Sequence, residues 1–256
     1  MNQQIKVCAV QMASRAGEVG YNLQKAKELI LEAKSQGAEL VLLPELFDVG
    51  YDLEVVKHLA YETEATLGVL KDLCKSLEIY LIAGVYENTS EGKFNTAYVI
   101  DSTGCEIAKY RKNKLFCLSI ENEIFTPGEE LCTVEIKGIK FGIMICYDIR
   151  FPELGRRYID KGCEALAVVS AFPFPRVEHW KTLLKARAIE NQLYVIASNR
   201  VGKNATFWFH GRSCIIDPWG TMLQEANETD ETFAMATITK EKVSTVRNLL
   251  PSLKDR

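Results

Sequence analysis

Short apolar runs alternate with helix-length amphipathic segments along most of this chain, and that rhythm restricts it to sheets covered by helices. Residues 5–11, Ile-Lys-Val-Cys-Ala-Val-Gln, read as a strand. Asn22 then offers an N-cap for a helix through about Gln36, with the apolar stripe Leu23, Ala26, Ile30 and Ala33 and Gly37 as the stop. A strand over Glu39–Leu43 ends in Pro44-Glu45, and a second round follows with a helix around Ala65–Leu77 and a strand over Tyr80–Val85. Between 96 and 110, two strands flank the turn Asp101-Ser-Thr-Gly104. The strand 139–146, a helix near 153–162, the strand 165–169, a helix near 178–191 and the strand 193–198 repeat the pattern. A last hairpin over 211–224 turns at Asp217-Pro218-Trp219-Gly220, and the tail 240–256 reads as a short helix with an extended end. Hairpins among βα units imply a mixed sheet. No Pro/Gly/Ser-rich linker divides the chain, so residues 1–256 are expected to form one domain.

The totals narrow the function classes. Lys and Arg number 31 against 34 Asp and Glu, a net charge of -3, which gives no electrostatic case for nucleic acid or an anionic membrane. The apolar runs are too short to cross a bilayer. Met1 leads into polar residues without an apolar h-region, so no secretory signal is expected. The eight cysteines lack C-x-x-C spacing and read as reduced thiols of a cytoplasmic protein. His58, His179 and His210 stand far apart in no zinc-binding arrangement, so no metal is expected.

Chemistry is suggested by polar residues placed where strands end. Cys146 closes the run Lys-Phe-Gly-Ile-Met-Ile and is followed at once by Tyr147-Asp-Ile-Arg-Phe-Pro-Glu153. A cysteine in an apolar strand is usually a small core hydrophobe. Lys112, within Lys109-Tyr-Arg-Lys-Asn-Lys114, has the composition of a solvated basic face, and Glu45 could be a cap. Together the three are complementary: a carboxylate can serve a thiol as general base, and an ammonium lowers a thiol pKa and stabilises an oxyanion. On that reading Cys146 should react with iodoacetamide faster than the other seven thiols. His179 and His210 remain possible bases.

Pro44-Glu-Leu-Phe47, Tyr110-Arg-Lys-x-x-Leu-Phe116 and Cys146-Tyr-Asp-Ile-Arg-Phe-Pro-Glu153 resemble, in order and separation, the signature segments of the nitrilase superfamily, the carbon–nitrogen hydrolases. The likeness continues through Asn199-Arg-Val-Gly202, Gly211-Arg-Ser213, Asp217-Pro-Trp-Gly220 and Arg247-x-x-x-Pro251, and so covers nearly the whole chain. It implies an α-β-β-α sandwich with two mixed β-sheets covered by helices, no cofactor, and a homo-oligomer of at least two subunits. It also implies Cys146 as nucleophile, Glu45 as general base and Lys112 as stabiliser of the tetrahedral intermediate, with Lys114 the competing lysine. Glu121, seven residues before Gly128, would be the supporting glutamate, with Glu123 its alternative. The backbone N–H of Tyr147 is expected to assist at the oxyanion, and Asp148 and Arg150 to fix the turn.

The segment Phe172-Pro-Phe-Pro-Arg176-x-x-His179-Trp180 through Val195 resembles the ω-amidase branch, which implies a small carboxylate-bearing amide such as 2-oxoglutaramate or 2-oxosuccinamate as substrate. Arg176 or His179 would meet the far carboxylate, and Phe47, Tyr51, Phe116 and Phe172 could wall the site. The alternatives are an N-carbamoyl compound or another aliphatic amide with the same three groups, a nitrile, or a silent binding subunit. The intact Glu45, Lys112 and Cys146 argue against the last.

Overall fold

Side chains of successive strand residues point to opposite faces, so a strand apolar at every position needs cover on both. Leu40–Leu43 is such a strand, buried throughout. A computed structural model, describing residues 3–255, shows how the cover is supplied. In its first half the chain forms β1 (Gln4–Gln11), α1 (Val19–Ser35), β2 (Leu40–Leu43), α2 (Leu53–His58), α3 (Thr63–Leu77), β3 (Tyr80–Thr89), β4 (Gly92–Ile100), β5 (Glu106–Arg111) and α4 (Glu121–Ile124). There follow β6 (Thr133–Ile136), β7 (Ile139–Ile145), α5 (Pro152–Asp160), β8 (Ala165–Ser170), α6 (Val177–Asn191) and β9 (Tyr194–Asn199). The last part holds β10 (Val201–Lys203), β11 (Trp208–His210), β12 (Cys214–Ile216), β13 (Met222–Glu225), β14 (Thr232–Thr239) and α7 (Lys240–Leu249).

Two six-stranded sheets result, in the orders β14-β1-β2-β3-β4-β5 and β13-β12-β9-β8-β7-β6. In each, central strands run parallel and outer ones antiparallel, so both are mixed. The period of two assigns the faces. Ile5, Val7 and Ala9 of β1 and Leu40 and Leu42 of β2 share one core with Ile143, Ile145, Ala167, Val195 and Ile215 of the second sheet. Their neighbours Cys8, Val10, Val41 and Leu43 pack with Ala26, Ile30 and Ala33 of α1 and Leu67, Leu70 and Cys74 of α3. Leu154 and Tyr158 of α5 and Trp180, Leu184 and Ala188 of α6 join the core of the second sheet. The layers are therefore helix, sheet, sheet, helix, as the resemblance implied.

Several expectations change. The residue before α1 is Glu18, so Asn22 lies inside the helix rather than capping it. Its carboxamide accepts from the N–H of Arg15 (2.7 Å) and donates to the carbonyls of Arg15 (2.8 Å) and Asp48 (2.7 Å), an interior tie that the cap reading missed. The strand expected over Tyr80–Val85 continues to Thr89 and forms a hairpin with β4, which starts at Gly92. Gly92 has φ +139°, which lets the tight turn close. The strands β6, β10 and β11, three or four residues each, are too short to show a period. Pro251 is followed by a 3₁₀ turn over Ser252–Lys254 instead of a wholly extended end.

Candidate active site

The ends of β2, β5, β7 and β8 converge at one place between the sheets. Glu45 follows β2 and is fully buried. Its Oε1 accepts from Asn95 Nδ2 and from Lys112 Nζ, each at 2.7 Å, and its Oε2 accepts from the N–H of Ala171 at 2.8 Å. Two donors thus come from the first sheet and one from the second. Gly84 on β3 permits this placement. A Cβ there would lie 2.6 Å from the Cα of Glu45 and from the carbonyl oxygen of Pro44.

Lys112 leaves the end of β5, its backbone held by Asn95 O (2.8 Å) and by the N–H of Gly128 (2.8 Å). Far from forming a solvated face, its ammonium is buried and donates to Oε1 of both Glu45 and Glu121 at 2.7 Å. Burial opposes its charge, but Glu121 and Glu45 hold it protonated, well above the ordinary lysine range. Lys114 instead lies half-buried with its ammonium 5.2 Å from the centre of the Phe151 ring. Glu121, the first residue of α4, also accepts from Tyr51 Oη (2.5 Å) and from the N–H of Phe116 (2.7 Å). Glu123 points away and pairs with Lys57 at the surface (3.0 Å). Burial, with the charges of Glu121 and Glu45, keeps Tyr51 a neutral hydroxyl donor.

Cys146 follows β7 with φ +46°, a left-handed conformation that an L-residue adopts at a cost of about 1–3 kcal/mol and that turns its side chain out of the strand. Asp148 holds that bend. Its carboxylate accepts from the N–H of Ile145 (2.9 Å), the hydroxyl of Tyr110 (2.8 Å) and the N–H of Lys114 (2.9 Å), fastening the cysteine turn to the lysine segment. The thiol is driven well above the usual cysteine range, first by burial and then by the Glu45 charge, with Lys112 opposing. The resting group is thus a neutral thiol beside a carboxylate, and the expected lowering by the ammonium is outweighed. Cys146 is 5% exposed.

A cavity of about 10 Å³ adjoins the thiol. Tyr51, Phe116, Tyr147, Phe172 and Arg176 line it, together with Arg150, Ala171 and Pro173, which the sequence did not mark as lining. Arg150, the last residue of the turn, also lies on this wall. His179 is exposed outside this cavity, its Nδ1 3.3 Å from Nη2 of Arg150. Phe47 packs with the α1 and α3 core instead of the site. His210 is buried elsewhere, and burial lowers its pKa to about 4. A much wider depression, about 900 Å³ beside β5 and residues 126–133, contains none of Glu45, Lys112, Glu121 or Cys146. Among the described residues, no group of three or more His, Cys, Asp or Glu side chains is placed to hold a metal. No helix among them is long and apolar enough to cross a membrane.

A buried thiol flanked by a carboxylate and a lysine can add to an acyl carbon and pass a proton to a leaving nitrogen. Comparison with known proteins agrees with that chemistry. The carbon-nitrogen hydrolase family model matches residues 6–248. The chain is similar to the 2-oxoglutaramate amidase of Bacillus subtilis, 39% identical over 93% of this chain and 92% of that protein. It is also similar to a deaminated glutathione amidase of Synechocystis sp., 36% identical over 97% of this chain and 96% of that protein. Its fold superposes on Saccharomyces cerevisiae Nit3, a member of branch 10 of the nitrilase superfamily, with TM-score 0.89 and 30% identity over 97% of this chain and 95% of that one. The chain belongs to the carbon–nitrogen hydrolase family.

Proposed function

We propose that this protein hydrolyses the terminal amide of a short 2-oxo acid, 2-oxoglutaramate or 2-oxosuccinamate, through a thioester on Cys146. The observation that carries this is the sharing of the Lys112 ammonium by Glu45 and Glu121, at 2.7 Å each, beside a thiol whose cavity is also lined by Arg176. As the sulfur bonds to the amide carbon, the thiol proton passes to Glu45, and the oxyanion is held by Lys112 and the backbone N–H of Tyr147. Glu45 returns that proton to the departing nitrogen, and ammonia leaves. Water then attacks the thioester, giving its proton back through Glu45 to the sulfur and releasing the acid. Glu121 keeps Lys112 in place, and Arg176 meets the far carboxylate.

An N-carbamoyl compound or another aliphatic amide would use the same three groups. Ammonia release from a panel of amides, carbamoyl compounds and nitriles tests the reading: the 2-oxo acid amides should turn over fastest, and Cys146→Ala should abolish turnover. Activity surviving in that variant would overturn the nucleophile assignment. The eight unpaired cysteines support a cytoplasmic setting. Exposed Ile189, Trp219, Leu249 and Leu250, gathered around the C-terminal end of α6, support self-association, for which light scattering in solution should report the mass of at least a dimer.

A further inference from the structure

Buried polar groups are almost always hydrogen-bonded, so a buried hydroxyl without a partner calls for a reason. Ser170, the last residue of β8, is such a group. It is fully buried, and among the described residues its Oγ has no hydrogen-bond partner. The buried hydroxyls of Ser198 on β9 and of Ser213 each donate to a carbonyl instead. The sheet register shows what stands beside Ser170. β7 and β8 pair in parallel as far as Ile145 and Val169, so the next residue of each, Cys146 and Ser170, lie next to one another where β7 turns away.

The surroundings fix Ser170 in that place. Its carbonyl accepts from the N–H of Arg200 (2.9 Å), and the next N–H along the chain, that of Ala171, donates to Glu45 Oε2 (2.8 Å). One strand end thus brings a hydroxyl to the nucleophile and an amide to the base. Ser170 is not among the residues lining the cavity, so its hydroxyl meets the sulfur from the protein side and leaves the cavity side to an acyl carbon. Burial and then the Glu45 charge hold the thiol neutral, whereas the Lys112 ammonium and, after it, hydrogen bonding by Ser170 favour the charged sulfur. A neutral thiol is a weak acceptor and leaves the hydroxyl unpaired; a sulfur carrying negative charge is a much stronger one.

We infer that Ser170 is a further catalytic residue, a hydrogen-bond donor that is unpaired at rest and engages the Cys146 sulfur when negative charge gathers there. That charge arises twice. It develops as the thiol gives its proton to Glu45, and again as the tetrahedral adduct of water with the thioester expels the sulfur. In both steps the hydroxyl keeps its proton, and no bond to Ser170 forms or breaks. An interaction missing from the ground state and made in the transition state raises kcat and leaves KM nearly alone. The inference rests on the proposed thioester on Cys146.

Ser170→Ala tests this, because it removes one oxygen and little else. With 2-oxoglutaramate as substrate, kcat should fall about tenfold, the worth of a hydrogen bond to a charged group, with KM changed less than about twofold. Tm should stay level or rise, since the oxygen removed was unsatisfied. The rate of iodoacetamide modification at Cys146 should fall about fivefold at each pH from about 7 to 9, with Cys105 and Cys117 in the same digest unchanged as internal controls. That readout needs no substrate, so it tests the donor whichever amide the enzyme turns over. A loss in kcat smaller than about threefold, or an unchanged alkylation rate at Cys146, would overturn the assignment. A fall in Tm of more than about 3 °C would do so as well, by showing that the hydroxyl has a structural partner at rest. Cys146→Ala separates the two readings: turnover persisting there would overturn the thioester itself, whereas its loss beside a fully active Ser170→Ala would overturn only the role of Ser170.

Discussion

Replacing Glu45 by Gln separates the chemistry of the site from its architecture. Three donors meet the carboxylate, Asn95 Nδ2 and Lys112 Nζ at Oε1 and the N–H of Ala171 at Oε2, which leaves one direction at Oε2 for a proton. A carboxamide of the same shape offers one oxygen and one NH₂. With the oxygen toward Asn95 and Lys112, the NH₂ faces the N–H of Ala171, and two buried donors meet. Leaving such a group unsatisfied costs about 1–3 kcal/mol. For a chain of this length each kcal/mol moves Tm by about 2–4 °C, so a fall of roughly 2–12 °C is expected. Lys112 keeps Glu121 as its counter-ion, which limits the loss. Activity should suffer far more, since Gln cannot take the thiol proton and loss of a general base costs about 10²–10⁴-fold in kcat. Differential scanning fluorimetry and steady-state ammonia release on the same preparation measure both effects. Turnover within tenfold of wild type would refute the role of Glu45 as proton carrier. A raised Tm would refute the claim that its three donors depend on a carboxylate.

Three further outcomes follow from the geometry. Gly84→Ala places a methyl group against the backbone of Pro44 and Glu45, so kcat should fall about 100-fold from displacement of the base, with a cost of about 1–3 kcal/mol in stability; unchanged kinetics would show that this approach can relax freely. Burial raises Asp48 to about 6 from its usual 3.8. The folded state therefore binds this proton more tightly, and its contribution to stability, roughly 3 kcal/mol at most, is complete below about pH 4 and lost as the pH rises through about 6. Asp48→Asn removes that dependence, so the Tm of the variant minus that of wild type should increase between pH 4.5 and pH 7.5, and a constant difference would sink the assignment. Iodoacetamide should modify exposed Cys105 and Cys117 before Cys146, whose thiol is buried and neutral at rest; peptide mapping that finds Cys146 first would show that the cavity opens readily and that its thiol is activated.

The sequence exposed the ends of β2 and β7 because an apolar run stops abruptly there, at Pro44-Glu45 and at Cys146-Tyr147. Lys112 was less visible. Its basic neighbours Lys109 and Arg111 do face outward, and only the folded chain brings Glu45, 67 residues away, to its ammonium. Glu121 and Glu123 could not be separated by composition, but two residues along a helix correspond to about 200° of rotation, so one had to face in and the other out. Asn95 gave no signal at all, since a polar residue within a strand reads as a solvent-facing position until the opposing sheet is known. Arg150 was legible as a cation near the nucleophile, yet its direction depends on the left-handed backbone at Cys146, which no residue pattern announces. The same limit applies to the activation of the thiol: chemical complementarity of the three groups was readable, whereas the depth of burial that raises the pKa was not.

The pairing of β14 with β1 has a consequence for how the protein comes into being. The base and the lysine belong to strands made early in synthesis, the cysteine to a strand made midway, and the sheet that carries the base acquires its outer strand only when residues 232–239 emerge. Loop closure between β1 and β14 spans nearly the whole chain, so this pairing is expected late in folding. A ribosome-bound chain lacking that strand would leave one flank of β1 open and could not complete the layer that supports Glu45. Competence to react would then arrive only once β14 has emerged, so that a shorter nascent chain carries the thiol without the finished machinery to use it.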